Sequence, residues 1–362
     1  MPYCNNSLRN KFLGFVASVL LSAAPALIIG VVPALADGAE IERFGPGVTK
    51  LTVADERSDR QLAGDIWYPT PTPKKFSRAD KSKVWQMALA DPDGEPADGS
   101  YPLLVVSHGM YGNTFNQAWL GSELARRGFV VAMINHPGTS SFLRAPDQAR
   151  ELWERPNDLS RLITYLIEDS PFKDRIDSSR IYAAGHSLGG FTVMLLAGAE
   201  FDTKLYRSSC DLEKDAPLAC EVLSGWSVAE TKSDQKEMET SRKDPRVLKV
   251  VSLDLGGTPV LSRESLASLD IPVLVLGSER ADMLNQDVES RALSDALPSD
   301  KVRHMELSDA GHFDFMGVCK PEGYEILKVH EPGDEIVCIK GTSERERQHQ
   351  IILKEVLSFL TP

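Results

Sequence analysis

The feature that most constrains this chain is a serine set among glycines, Gly185-His186-Ser187-Leu188-Gly189-Gly190. An apolar run at residues 181–184 leads into it, and a second apolar stretch at 191–197 leaves it. The first run has the length of a buried strand, and the second continues as a helix over 188–198. A chain that turns from strand to helix this quickly must bend sharply. Glycines two before and two after the serine remove the side chains that would collide at the bend. Such a turn lifts the Ser187 hydroxyl above the sheet edge and aims the first N–H groups of the new helix at the same spot. In this setting the G-x-S-x-G pattern marks Ser187 as a nucleophile.

The rest of the chain alternates between strands and helices. Residues 48–53 and 61–68 read as two opening antiparallel strands, followed by a Pro- and Lys-rich connection at 70–75. Residues 84–90 are expected to form a short helix and 91–99 a loop. The acidic residues of that loop suggest calcium, but an EF-type loop needs glycine at its sixth position and Pro96 stands there, so a solvated turn is expected. Short apolar runs at 103–106, 129–134, 180–184, 247–253, 273–276 and 302–307 predict strands, the fully apolar ones buried as in parallel sheets. Helical segments at 115–127 (closed by Gly128), 158–168 and 344–359 separate or follow them. This pattern predicts an α/β fold with a mostly parallel sheet covered on both faces. Residues 200–246 interrupt the alternation, with two cysteines and a charged run at 230–246. An insertion after the nucleophile helix lies above the C-terminal edge of the sheet, where open α/β sheets bind ligands. It is either a lid or a solvated excursion.

The N-terminus stands apart. Arg9 and Lys11, the apolar residues 13–32 and the exit Pro33-Ala34-Leu35-Ala36 predict a secretory signal peptide over residues 1–36, with a retained membrane anchor as the alternative. A single domain, 37–362, follows. Removing Arg9 and Lys11 takes the formal charge from −12 to −14. A surface this acidic repels phosphate backbones and anionic headgroups, so neither nucleic acid nor stable membrane association is expected after cleavage. Cys4 leaves with the signal. Cys210, Cys220, Cys319 and Cys338 remain, an even number in an exported chain, periplasmic or secreted, and short-loop closure favours the pairs Cys210–Cys220 and Cys319–Cys338. No C-x-x-C pair points to zinc. The oligomeric state is left open.

A serine hydroxyl needs a base. With a nucleophile of this type, the base follows it in the chain, after the acid. Four histidines lie downstream: His304 inside a predicted strand, His330 in a polar stretch, His349 on the terminal helix and His312 in a loop. That loop begins where the 302–307 strand ends, on the same sheet edge as Ser187, so His312 is the candidate base. Two strand-end carboxylates, Asp254 and Asp282, are equally placed to orient it. Two N–H donors must face the developing negative charge. Leu188 supplies one and Met110, in Ser107-His108-Gly109-Met110-Tyr111-Gly112, the other; His108 is read as shaping that loop.

The blocks Pro102–Gly112, Leu124–Ala132, Gly185–Gly190 and Val251–Asp254 resemble the platelet-activating factor acetylhydrolases and the bacterial dienelactone-hydrolase-like group. The resemblance implies an α/β-hydrolase fold, a short-acyl ester hydrolase working through an acyl-enzyme, and no metal or organic cofactor. It also favours Asp254 over Asp282, because the acetylhydrolase acid closes a strand ending in Leu-Asp. Dienelactone hydrolases proper use a cysteine where this chain has Ser187. Rival readings are a lactonase, an amidase or peptidase on the same fold, and a non-catalytic binding protein on a hydrolase scaffold.

Overall fold

The computed structural model describes residues 43–53, 60–71, 77–78, 82–211 and 216–361. The expected signal peptide, 1–36, and Cys4 lie outside the described residues. In chain order the strands are β1 (Gly45–Val53), β2 (Leu62–Thr70), β3 (Ser77–Arg78), β4 (Leu89–Pro92), β5 (Tyr101–Ser107), β6 (Val130–Asn135), β7 (Thr139–Ser140), β8 (Leu143–Arg144), β9 (Ile176–His186), β10 (Val247–Leu253), β11 (Val273–Ser278) and β12 (Val302–Leu307). The helices are α1 (Ala118–Ala125), α2 (Pro146–Arg150), α3 (Glu154–Glu168), α4 (Leu188–Ala197), α5 (Thr203–Cys210), α6 (Leu218–Gly225), α7 (Lys232–Glu239), α8 (Arg263–Ala267), α9 (Ser290–Ala296), α10 (Gly323–His330) and α11 (Thr342–Leu360).

Among the described residues ten strands form one sheet in the order β12-β11-β10-β9-β5-β6-β2-β1-β4-β3. From β6 across to β12 every pairing is parallel, while β2 runs antiparallel to both β1 and β6. Side chains along β5 divide by the two-residue period of a strand. Leu103 and Val105 join one buried cluster with Leu159, Leu162 and Phe191, under α3 and α4. Leu104 and Val106 join the other with Leu120, Leu124, Ile352 and Val356, under α1 and α11. Both faces are therefore covered, which is why the central strands read as unbroken apolar runs. Each such fully buried Leu or Val contributes roughly 1.5–3 kcal/mol.

The sheet reverses direction of growth at β5, which lies between β6 and β9. Register then assembles the site. Ser107 pairs with Gly185, and Leu253 pairs with His186. The residues that follow, Ser187 and Asp254, consequently emerge side by side from neighbouring strand ends.

Two expected helices change. Residues 84–90 form no helix: Trp85 makes an antiparallel bridge with Cys319, and Leu89–Pro92 is a strand pairing with β1 and β3. Sheet-edge pairing overrides the local preference there, and it takes the first two residues of the expected 91–99 loop into β4. The helix expected at 115–127 is shortened to α1. Asn113 Oδ1 accepts the Phe115 N–H at 2.8 Å and Asn116 Oδ1 accepts the Asn113 N–H at 2.7 Å, a side-chain turn that competes with the first helical turn.

Candidate active site

Ser187 sits at φ +55°, ψ −121°, a conformation costly for a residue with a side chain. The surroundings impose it. The Ser187 N–H donates to the Leu253 carbonyl at 2.9 Å, extending the β9–β10 ladder, and the Ser187 carbonyl then accepts from Phe191 N–H at 3.2 Å as α4 begins. A Cβ at Gly185 would lie 2.0 Å from the Gly189 carbonyl oxygen, and a Cβ at Gly189 would lie 2.0 Å from the Ser107 carbonyl oxygen. Both glycines of the motif are thus required by backbone closing on backbone.

His312 opens a short 3-10 turn beyond β12 and is buried. Its Nδ1–H donates to Asp254 Oδ2 at 2.6 Å. Asp254, wholly buried at φ +46°, also accepts from the Ser278 N–H (2.8 Å), the Ser278 hydroxyl (3.1 Å) and Gln286 Nε2 (3.0 Å). Burial pushes its carboxyl upward, but the His312 bond and the other donors outweigh this and hold it below the usual carboxylate range. Asp282, the other candidate acid, does not reach the ring. Its Oδ1 accepts the His312 backbone N–H at 3.0 Å, and its Oδ2 pairs with Arg280 at 2.8 Å.

His186 was not singled out by sequence reasoning, although it occupies the variable position before Ser187. Its ring lies 4.7 Å from that of His312, and its Nε2–H donates to the His312 carbonyl at 2.9 Å. Burial lowers its pKa to about 3, so it is neutral and fixes the His312 backbone beside the elbow.

Met110, Ser187 and Leu188 line one cleft. Gly256, Gly257 and Leu284 wall it from the sheet side, and Leu218, Ala219, Val222 and Leu223 of α6 wall it from the 200–246 segment. The carbonyl of Gly109, in the same peptide as the Met110 N–H, accepts from His108 Nδ1 at 2.7 Å. His108 Nε2 accepts from the His136 N–H at 3.0 Å, which places the ring proton on Nδ1. Cys210 is bonded to Cys220, tying α5 to α6, and Cys319 to Cys338. Among the described residues no group of His, Cys, Asp and Glu could hold a metal ion. A separate, roomier cleft between α1 and α11, beside Trp119 and His349, is lined by none of Met110, Ser187, Leu188, Asp254 or His312.

The fold and this arrangement define the class: an α/β-hydrolase fold with serine and aspartate at neighbouring strand ends and a histidine from beyond β12 bonded to the aspartate. A family model described as PET hydrolase-like matches residues 95–208. The chain is 30% identical over 216 residues to cutinase cut1 of Thermobifida fusca, covering 55% of this chain and 56% of that one. It is 28% identical over 192 residues to a bis(hydroxyethyl) terephthalate hydrolase of Streptomyces coelicolor, covering 48% and 51%. The chain thus spans about half the length of these curated relatives. A solved ferulic acid esterase from Streptomyces cinnamoneus superposes with a TM-score of 0.59 at 20% identity, over 89% of this chain and 91% of that one, which shows the shared fold.

Proposed function

We propose that the protein is an exported serine hydrolase of carboxylic esters. The observation that carries this reading is the His312 Nδ1–Asp254 Oδ2 bond of 2.6 Å, beside a serine held at a strained strand-to-helix turn. Ser187 Oγ attacks the ester carbonyl carbon while His312 Nε2 takes the hydroxyl proton. Asp254 holds the ring in the tautomer that leaves Nε2 free and stabilises the imidazolium. The Met110 and Leu188 N–H groups receive the oxyanion. Collapse expels the alcohol, which takes the proton from His312. Water deprotonated by His312 then attacks the acyl-enzyme and releases the acid.

The names of the relatives, cutinases and a terephthalate ester hydrolase, support the ester bond as target, as does the apolar lining of the cleft. The acetylhydrolase-like blocks favour short acyl groups. Two disulfides support an exported chain, and among the described residues no helix is long and apolar enough to cross a membrane. Because α6 forms one wall of the cleft, the 200–246 segment acts as a lid over the acyl site. Hydrolysis of a p-nitrophenyl ester by the wild type and by Ser187→Ala tests the assignment. A drop of at least roughly 10³-fold is expected, whereas equal rates overturn it.

A further inference from the structure

Helix α3 carries a cation at a core position. Arg155 is 1% exposed, and its guanidinium donates to four oxygens. Nε reaches Thr192 Oγ1 at 2.8 Å, Nη1 reaches Thr139 Oγ1, and Nη2 reaches both Ser107 Oγ at 3.0 Å and the His108 carbonyl. None of these is a carboxylate. The buried acid one turn along the helix, Asp158, is engaged elsewhere: Arg60 binds both its oxygens, at 2.8 and 3.0 Å, and His136 Nδ1 donates to it at 2.9 Å. A buried guanidinium without a direct counter-ion is costly, and burial does lower its pKa to about 9. It remains a cation at neutral pH, with its donors spent on neutral groups.

Those groups share a location. Ser107 and His108 begin the loop that carries Met110. Thr139 accepts the Tyr111 N–H through its carbonyl at 2.8 Å, which pins the other end of that loop. Thr192 lies one turn into α4, and its hydroxyl donates to the Leu188 carbonyl at 2.9 Å. One planar fork therefore touches the strand end, the loop and the helix that present the two N–H groups of the oxyanion site.

We propose that Arg155 is a positioning residue, tying the Met110 loop to the start of α4 and thereby setting the spacing of the Met110 and Leu188 donors. This rests on the ester-hydrolase reading above. Donors aimed in advance at a developing oxyanion lower the barrier because they need not reorganise as charge forms. Arg155 hydrogen-bonds to none of the residues lining the acyl cleft, so its loss should fall on kcat rather than KM.

The experiment uses the full chain, with fluorophosphonate titration to count competent sites. Arg155→Gln is expected to lower kcat per titrated site by roughly 10- to 100-fold, less than loss of a donor itself, with KM within about twofold. Its affinity for a trifluoromethyl ketone, which forms a tetrahedral adduct with an oxyanion, should weaken in parallel with kcat. Thr192→Val, which removes one tie and keeps the cation, should lower kcat by a smaller factor, and Thr192→Ser, which keeps the hydroxyl, should restore it. Wild-type kcat in Arg155→Gln, or a loss shared equally by kcat and ground-state binding, overturns the proposal. If Arg155→Gln does not fold, the threonine pair decides: equal kcat in Thr192→Val and Thr192→Ser overturns it. Ester turnover that survives Ser187→Ala overturns the reading of the site and this proposal with it. Turnover that depends on Ser187 but ignores Arg155 and Thr192 overturns this proposal alone.

Discussion

The two sides of the cleft are built on opposite principles. On the sheet side, Asp254 has both oxygens engaged by donors from β11, from Gln286 and from His312, and the chain on either side is fixed by ladder bonds such as Asp254 N–H to the Leu276 carbonyl at 2.7 Å. On the insertion side, α6 offers apolar side chains, and Ala219, Val222 and Leu223 pack against the core. Among its directional ties are the Cys210–Cys220 bond and, just past its end, the Trp226 Nε1–H donated to the Tyr111 hydroxyl at 3.0 Å. Charged groups in a buried site must be held to within fractions of an ångström, because an unpaired or misaligned charge there is expensive. An apolar wall has no directional requirement and tolerates looser fixing. On the proposed reading, the sheet edge fixes the reacting groups and the apolar wall from α6 shapes the acyl site.

The sharpest way to break this contrast lies within the sheet side. Asp254→Asn removes the carboxylate that fixes the His312 tautomer and should lower kcat on a p-nitrophenyl ester by about 10⁴-fold. Asp282→Asn should stay within about tenfold of wild type, because an amide oxygen can still accept the His312 backbone N–H. Equal losses in the two variants would show that the side-chain bond and the backbone bond to His312 matter alike. Because the Asp254 carboxyl is held below the usual range, it stays ionised across the neutral region, so its own titration should leave no step in the pH–rate profile there.

A second effect concerns the sheet-side wall. Glu289 Oε2 accepts the N–H groups of Gly257 and Thr258, both at 2.8 Å, and so holds the loop that lines the cleft. Burial raises its pKa from 4.5 to about 7, against the opposing pull of those donors. The sign follows from the proton count. The folded chain keeps this proton over a range in which the unfolded chain has lost it, so this group lowers stability progressively as pH rises from about 4.5 to about 7 and by a constant amount above that. The shift corresponds to a loss on the order of 3 kcal/mol across the window. Glu289→Gln cannot ionise and keeps an acceptor for the loop, so denaturant unfolding at a series of pH values should show a flatter profile than wild type. An unchanged profile would place the Glu289 carboxyl in contact with solvent.

Much of this architecture was legible in the sequence because it rests on burial. The strands under both helix layers are unbroken apolar runs, and the elbow's glycines are fixed by backbone collisions that leave no alternative residue. His312 could be placed near Ser187 because the loop after the last strand lies at the same sheet edge. What escaped depends on tertiary pairing. Asp254 and Asp282 both follow strands, and only the structure shows one reaching the ring and the other the backbone. Trp85 was expected in a helix because its bridge partner, Cys319, lies far along the chain. Arg155 and His186 were missed for a different reason: each is a polar residue whose partners come from several elements. Arg155 did leave a signal. It precedes Leu159 by four residues, at core spacing on α3, and a charge on the buried face of an amphipathic helix points to a polar network beneath.

The remaining prediction concerns the insertion side. Replacing Cys210 and Cys220 together by serine opens a ten-residue loop, for which chain entropy gives a stabilisation of about 2.5 kcal/mol. The loss should be local. The bond joins α5 to α6 and touches neither the elbow nor the Asp254–His312 pair, so proteolytic nicking within 200–246 should accelerate while the labelling of Ser187 by fluorophosphonate stays near wild type. Selectivity should move in the same variant. With α6 less constrained, Val222 and Leu223 can recede, and the ratio of kcat/KM for a longer acyl chain over acetate should rise by a few-fold, within what one or two methylenes in an apolar pocket contribute. Loss of labelling together with nicking would show that the insertion and the sheet edge form one cooperative unit, and the division of labour between the two walls would not hold.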